Sequence, residues 1–288
     1  MIESTEIEER AKRELGETPE IRENGLREIK EWLREQNLQH DCLSELGLLN
    51  FLRGCKFAQE RTRDKLFHYL SSKSSKSDVL MSDRDPYSDE LREVLSKGML
   101  LFLSSENYET LLIRWENCDT KKVSLVNVIK VGLMAFEVLI NESPTVMISG
   151  HTIIIDCTNL PFGYIRQVSP SLVKEIFRII WKAYPIRIRA VHIINCIPFM
   201  GLIFSMFKPF IPLKIVSRVR FYSSSNANRL YTDFPLSELP RDYGGEATSI
   251  DSLTETTKRM VEERRHWFVN QEDNISDKDD YVNQLIIN

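Results

Sequence analysis

Apolar residues recur at helical spacing through the first quarter of the chain. In residues 21–37 they fall three or four positions apart, which is the pattern of an amphipathic helix. Residues 43–51 and 59–70 continue in the same manner. A polar, serine-rich stretch follows at 71–78 and is typical of a linker. The pattern therefore predicts an N-terminal helical domain over residues 1–78.

A different pattern begins near residue 99. Short apolar runs at 99–103 and 111–115 favour strands, and residues 123–141 predict a largely buried helix. Further along, the pattern predicts strands at 153–156, 188–194 and 219–222 and helices at 170–184 and 199–207. Strands that alternate with helices indicate an α/β fold with a substantially parallel sheet. We assign residues 79–250 to this second domain and 251–288 to a charged C-terminal tail, helical in part.

One stretch of the second domain raises the question of a membrane span. Residues 190–207 contain no Lys, Arg, Asp or Glu. Their length of 18 residues is the lower limit for a helix that crosses a bilayer. However, His192, Asn195 and Pro198 interrupt the stretch, and Pro198 divides it into a strand-like and a helix-like part. We interpret it as a buried strand followed by an apolar helix.

Charge is distributed unevenly along the chain. The formal net charge of the 288 residues is −4, yet residues 176–232 hold no Asp or Glu. The basic residues of this segment are Arg178, Lys182, Arg187, Arg189, Lys208, Lys214, Arg218, Arg220 and Arg229. Ordinary surfaces mix the two signs, so this segment indicates a face that meets an anionic partner.

Composition argues against several other classes of protein. The five cysteines are scattered and form no CxxC pair, which disfavours a disulfide framework and a zinc site and favours a reducing compartment. Residues 1–13 are charged throughout, unlike a secretory signal. The sequence also lacks GxGxxG, GxxxxGK[ST], HExxH and GxSxG motifs. We therefore expect no metal, no cofactor, no nucleic acid and no catalysis.

Four motifs follow one another between residues 51 and 245. They are FLRGCKF at 51–57, IIID at 153–156 with VSP at 168–170, YPIRIRAVHIIN at 184–195 continuing into FSMFKPF at 204–210, and LPRDYGG at 239–245. Together they resemble the CRAL-TRIO lipid-transfer family, in particular its branch of tocopherol transfer proteins and clavesins. The resemblance implies an N-terminal helical bundle followed by an α/β domain, whose apolar pocket is closed by a mobile lid helix.

The apolar helix at 199–207 corresponds to that lid. Its predicted lid residues are Phe199, Met200, Leu202, Phe204, Met206 and Phe207, and Ile203 is a further apolar residue of the same helix. From periodicity alone, a lid and an ordinary core helix are equally compatible with this pattern; the resemblance favours the lid. Gly201 interrupts the helix and either helps it to move or allows close packing.

The resemblance also implies two binding surfaces. The predicted ligand pocket comprises Ile129, Gly132, Phe136, His151, Ile155, Leu160, Phe162, Ile176, Ile180, Ile188, Val191 and Ile203. The predicted phosphoinositide-binding residues are Arg187, Arg189, Lys208, Lys214 and Arg218. For the basic residues the alternative is an ordinary solvated surface.

Some residues depart from the family pattern or allow two interpretations. Gly132 and Phe136 stand where the tocopherol-binding branch has serines facing the ligand, which argues against tocopherol itself. His151 either contacts the polar end of the ligand or is a solvated residue at a strand start. Arg53 is expected to pair with a carboxylate between the domains, and Asp156 to cap a strand end rather than act as an acid.

We expect a soluble cytoplasmic carrier that encloses one retinoid, tocopherol-like or similar lipid. It would transfer this cargo to phosphoinositide-containing membranes, peripherally on endosomal or plasma membranes. The main alternative is a signalling scaffold that reads phosphoinositides without carrying cargo, and an enzyme acting on the lipid ranks third. Apolar walls specify a ligand poorly, so the sequence leaves the cargo unnamed.

Overall fold

The computed structural model describes residues 4–75, 77–104, 109–115, 119–223 and 234–269. The N-terminal region is helical, as predicted. Its helices are α1 (Ser4–Leu15), α2 (Pro19–Glu35), α3 (Glu45–Gly54) and α4 (Gln59–Ser74). Thr18 and Ser44 cap α2 and α3 by accepting a hydrogen bond from the backbone three residues later. Helix α4 extends to Ser74, so the predicted linker at 71–78 is wrong for its first half.

The α/β region begins after a short connection. Its elements are α5 (Asp89–Lys97), β1 (Leu100–Ser104), β2 (Glu109–Ile113), α6 (Leu125–Glu142), β3 (His151–Asp156), α7 (Phe162–Gln167), α8 (Pro170–Arg178), β4 (Ile188–Ile194), α9 (Met200–Phe207), α10 (Leu213–Val216) and β5 (Val219–Phe221). The helix predicted at 170–184 is in fact α8 followed by a π-helical turn, Ile179–Ala183. The other predicted strands and helices are present with bounds shifted by a few residues at most.

The five strands form one sheet in the order β1-β2-β3-β4-β5. β1 pairs with β2 antiparallel, and the other three pairings are parallel. This confirms the α/β fold with a largely parallel sheet. The pairing of β3 with β4 is irregular at its start, because His151 pairs with Ile188 and Thr152 with Ala190. Arg189 is thus the extra residue of a β-bulge.

The two faces of the sheet differ in how tightly they are covered. Ile154 is fully buried and packs on one face with Ile194, Leu239 and Ile250. Its neighbours on β3 point to the opposite face, which α6, α8 and α9 approach. The closing segment 239–245 and the helix after it therefore seal one side of the sheet, and the other side carries the candidate site.

The C-terminal segment packs on the domain. Its helices are α11 (Ile250–Glu263) and α12 (His266–Val269), and α11 contacts α5, α6 and β1. Beyond α11, Arg264 forms a two-pronged ion pair with Glu142, and Arg265 forms one with Asp85. Part of the predicted tail is thus bound to the body of the protein; residues 270–288 lie outside the described residues.

Close contacts also join the N-terminal helices to the α/β region. Lys65 on α4 donates hydrogen bonds to the carbonyls of Trp181 (2.5 Å) and Tyr184 (2.7 Å) at the end of the π-helical turn. A Cβ on Gly54 would overlap the carbonyl oxygen of Pro185. The end of α3 therefore lies directly against the segment that leads into β4.

Candidate functional site: an apolar face beneath helix α9

Large apolar side chains on one face of the sheet are only partly buried. On β3, Ile153 and Ile155 point to this face and keep part of their surface exposed, whereas Ile154 on the other face is fully buried. β3 is the central strand, with β2 on one side and β4 on the other. Partial exposure at a central strand requires open space against this face, since strands of a parallel sheet are normally covered on both faces.

Apolar side chains from several elements share this partial exposure. They come from β1, β2, α6, the turn before α7, α8, the π-helical turn and α9, and they are Phe102, Leu111, Ile113, Ile129, Leu160, Ile176, Ile180 and Ile203. Phe102 and Leu111 lie in register with Ile153, which places them on the same face of the sheet. Apolar walls contributed by both a sheet and helices are typical of a cavity for a hydrophobic ligand.

Half of the predicted pocket residues belong to this partly exposed set. They are Ile129, Ile155, Leu160, Ile176, Ile180 and Ile203. Three others, His151, Ile188 and Val191, are buried on the same face, on β3 and β4. Phe162 instead lies at the start of α7, 63% exposed, beneath the guanidinium of Arg166.

The two positions that depart from the family pattern differ in their surroundings. A Cβ added to Gly132 would lie 3.1 Å from a methyl group of Leu100, so this glycine lets α6 pack closely on β1. Phe136 is buried and stacks on Phe102 at a centroid distance of 5.8 Å. Position 136 therefore faces the apolar side of the sheet, and position 132 has little room for any side chain.

Helix α9 covers the site and leaves its own outer face uncovered. Met200 is buried against the sheet, whereas Leu202 is 70% exposed and Phe199 and Met206 are exposed over two fifths of their surface. Phe204 and Phe207 hold the helix through edge-to-face contacts with Phe221 and Phe177. An apolar helix of which one side is exposed is not an ordinary core helix.

Gly201 has open space where a side chain would be. No atom of a neighbouring element lies within 4 Å of a Cβ placed there. Close packing is therefore not the reason for a glycine at this position. What remains is its effect on the helix, which a glycine destabilises by about 1 kcal/mol relative to alanine.

Four of the five predicted phosphoinositide-binding residues lie near the start of β4. Arg187 donates to the carbonyls of Met147 (3.1 Å) and Ile148, and Arg189 donates to the carbonyl of Ser149. Arg218 donates to the carbonyl of Ile188, between the two arginines, and Lys214 precedes Arg218 by about one helical turn. We refer to Arg187, Arg189, Lys214 and Arg218 as the basic patch.

An acidic residue from the N-terminal region lies close to the patch. Burial lowers the pKa of Arg187, and the positive charge of Arg189 lowers it further. The carboxylate of Glu14, at the end of α1, raises the pKa of Arg187 and so opposes both effects. The patch is therefore partly balanced by a charge that lies far away in the sequence. Lys208, the fifth predicted residue, is exposed just after α9, in a 3-10 turn that contacts α8.

Asp156 caps the end of β3. It accepts hydrogen bonds from the backbone of Thr158 (2.9 Å), the side-chain amide of Asn195 (2.9 Å) and the hydroxyl of Tyr243 (2.8 Å). Burial raises the pKa of Asp156, but these hydrogen bonds outweigh it and hold the pKa below its usual value. Asp156 thus ties three loops together, as expected of a capping residue rather than an acid catalyst.

A polar cleft of about 890 Å³ opens beside this network. Its lining includes Asp156, Asn195 and Tyr243 together with charged residues of α5 and α11. Asp156 belongs to the same face as Ile154, so the cleft lies on the opposite side of the sheet from the apolar site. Within the described ranges, no group of three or more His, Cys, Asp or Glu residues could hold a metal ion.

Comparison with known proteins decides the family. A model of the CRAL/TRIO domain matches residues 103–245, and a model of the Pinta-like UBA domain matches residues 18–91. The human alpha-tocopherol transfer protein-like protein is 30% identical over 250 residues, which cover 85% of this chain and 71% of the relative. The chain belongs to the CRAL-TRIO family. It thereby falls in a family of lipid-binding and lipid-transfer proteins.

Two further comparisons agree with the CRAL-TRIO assignment. Clavesin-1 from Mus musculus is 25% identical over 252 residues, covering 85% of this chain and 70% of the relative. This chain superposes on the crystal structure of Sfh5 with a TM-score of 0.52 at 12% identity, covering 82% of this chain and 92% of Sfh5. The two chains therefore have the same fold. In the part of the chain that the structure describes, no helix is both long and apolar enough to cross a bilayer.

Sequence reasoning missed a buried ionic cluster beside this CRAL-TRIO site. Glu137 on α6 accepts hydrogen bonds from Lys73 (2.7 Å), Arg84 (2.6 Å) and the hydroxyl of Tyr184 (2.5 Å). Burial alone would raise the pKa of Glu137, but Arg84 and Lys73 lower it to about 2. The sequence signal was a glutamate within a largely apolar stretch of α6, which does not identify its partners.

The prediction for Arg53 is confirmed in part. Arg53 does pair with a carboxylate, through two hydrogen bonds of 2.8 Å to Glu17. That carboxylate lies within the N-terminal region, and it is the carbonyl of Pro144 (2.7 Å) that connects Arg53 to the α/β region. Asn159, in the turn after β3, adopts the left-handed backbone conformation, with φ of 57°, which asparagine tolerates better than most residues.

Proposed function

We propose that this protein is a carrier that encloses one small hydrophobic lipid and transfers it to membranes containing phosphoinositides. The observation that carries the proposal is the partial exposure of Ile153 and Ile155 on the central strand beneath α9. Family membership supports the binding and transfer of a lipid. The cargo class is a retinoid, a tocopherol-like prenoid or a lipid of similar size, and no reaction on it is proposed.

The basic patch is the proposed docking surface. Arg189 and Lys214 are exposed, and arginine side chains bind phosphate oxygens through a forked pair of N–H groups. Each basic residue near an anionic membrane contributes about 1 kcal/mol, so four of them support weak and reversible attachment. Such attachment would hold the protein peripherally on the cytoplasmic face of endosomal or plasma membranes.

Helix α9 is the proposed lid. Its exposed residues Phe199, Leu202 and Met206, together with Leu213 on α10, offer an apolar surface that a membrane interface could accept. Movement of α9 into the interface would uncover the side chains beneath it, among them Ile153 and Ile155. Gly201 supports this role, because it lowers the stability of the helix without serving its packing.

The first test is the content of the purified protein. Native mass spectrometry, followed by lipid extraction, should show one apolar molecule per chain. A well-folded protein that remains empty, and that takes up no retinoid, tocopherol or sterol added to it, would refute the carrier and favour the phosphoinositide-reading scaffold. Chemical conversion of the bound molecule would refute the absence of catalysis.

The second test separates docking from cargo binding. Arg189→Glu combined with Lys214→Glu reverses two exposed charges and removes the hydrogen bond from Arg189 to the carbonyl of Ser149. It leaves in place Arg187 and Arg218, which are only partly exposed. We expect slower transfer to phosphoinositide-containing vesicles and unchanged affinity for cargo in solution. Arg259→Glu, an exposed reversal on α11, is the matched control. Equal transfer by all three proteins would leave the patch as an ordinary surface.

A further inference from the structure

The inner end of the apolar site is closed by one layer of buried side chains. His151 on β3 is 1% exposed, whereas Ile153, the next residue on the same face, is partly exposed. On helix α6, likewise, Phe136 is only 5% exposed, whereas Ile129, two turns earlier, is partly exposed. The open space therefore ends at the level where Phe136 and His151 meet.

Phe136 occupies the centre of that layer and is held from three sides. Its ring stacks on Phe102 with an interplanar angle of 7°, meets the edge of His151 at 5.2 Å and lies 5.9 Å from the ring of Tyr184. Such ring pairs are favourable beyond the burial of their area. A ring held by three others is a rigid end wall rather than a movable gate.

The layer behind Phe136 is polar and fixed. Tyr184 donates its hydroxyl to Glu137, which Lys73 and Arg84 hold in an ionic cluster. Phe136 thus separates the apolar space from buried charges that a hydrocarbon cargo could not approach favourably. Its ring presents only hydrocarbon to whatever lies against it.

From this geometry we infer that Phe136 sets the length of the cargo that the apolar space accepts. The inference rests on the proposed carrier function and names the residue that limits it. A cargo that is too long would have to displace a ring packed on Phe102, His151 and Tyr184.

The test uses prenols of increasing length, namely geraniol, farnesol and geranylgeraniol, in competition with a bound fluorescent retinoid. Phe136→Ala should shift the preferred prenol to a longer one. Since burying further hydrocarbon is favourable, one further isoprene unit should raise affinity by at least about tenfold. Phe136→Leu, a smaller truncation, should give a smaller shift in the same direction, and it replaces the alanine variant if that variant does not fold.

Met134→Ala is the matched control. Met134 lies on the same helix and is fully buried, but it belongs to the cluster that packs toward α5 and α11. Identical length profiles for the parent and the Phe136 variants, or an equal shift in the Met134 variant, would overturn the inference while leaving the carrier function intact. A parent protein that binds neither the retinoid nor any prenol would overturn the carrier function itself.

Discussion

Replacing Glu137 with glutamine should cost far more stability than replacing Glu142, although both lie on α6. Glu137 is buried and bonds to Lys73 and Arg84, both of which are also buried. Without the carboxylate two positive charges remain in the interior, and a broken buried pair typically costs about 3–5 kcal/mol. Glu142 pairs with Arg264 at a surface where its side chain is 40% exposed, and such pairs contribute about 0–1 kcal/mol.

The same interaction should appear in the pH dependence of unfolding. The pKa of Glu137 falls from 4.5 to about 2 in the folded protein, which corresponds to about 3 kcal/mol. Because the folded pKa is the lower one, this stabilisation is complete above about pH 4.5 and is lost as the pH falls toward 2. The Glu137→Gln variant should lack this part of the acid dependence, and the Glu142→Gln variant should retain it.

Urea denaturation followed by circular dichroism measures both effects, with equal slopes confirming that the same surface unfolds. Replacing all three charged residues of the cluster by apolar ones of similar volume should recover much of the loss, since no charge is then left unpaired. If Glu137→Gln costs no more than Glu142→Gln, or if its acid dependence equals that of the parent, the cluster is not the interaction described above.

Two further predictions concern local sterics and thiol chemistry. Gly54→Ala should destabilise the fold, because its Cβ would overlap the carbonyl of Pro185. Gly201→Ala meets no neighbouring atom and should stabilise α9 by about 1 kcal/mol and slow cargo transfer. Thermal unfolding measures both stabilities, and a transfer assay measures the second effect of Gly201→Ala. Burial raises the pKa of the Cys157 thiol to about 12, so this cysteine should resist alkylation at neutral pH in the folded protein and react once unfolded, as mass spectrometry of the labelled peptide would show.

The strands and helices were largely predictable because their patterns are local. β4 spans the residues predicted for it, since a buried parallel strand appears as a largely apolar run, interrupted here by Arg189 and His192. β3 begins two residues before its predicted start, because His151 and Thr152 are polar and are held in the sheet by pairing with β2. The π-helical turn after α8 has no local signal; its end is capped by Lys65, which is far away in the sequence.

The partner of a side chain in the folded protein was predictable only where the chemistry of that side chain requires a particular type of partner. A buried arginine needs a carboxylate, so pairing of Arg53 followed from its chemistry, but the choice of Glu17 depended on how α1 and α2 meet α3. The electrostatic effect of Glu14 on Arg187 could not be predicted for the same reason. The sequence also showed that α9 is apolar on most sides, and only the fold showed which side is exposed.

The two ends of the apolar site are built on opposite physical principles. At the inner end, Phe136 is fixed by three rings, and one of these is fixed in turn by the Glu137 cluster, so rotation of the end wall would disturb a network of buried charges. At the outer end, α9 contains a glycine and lacks a side-chain cap at its start. The structure is thus most stable at the inner end, where the wall would limit the length of a cargo, and least stable at the outer end, where a cargo would enter. A carrier needs both, because a rigid wall discriminates between cargoes and a weakly held helix can move on a membrane.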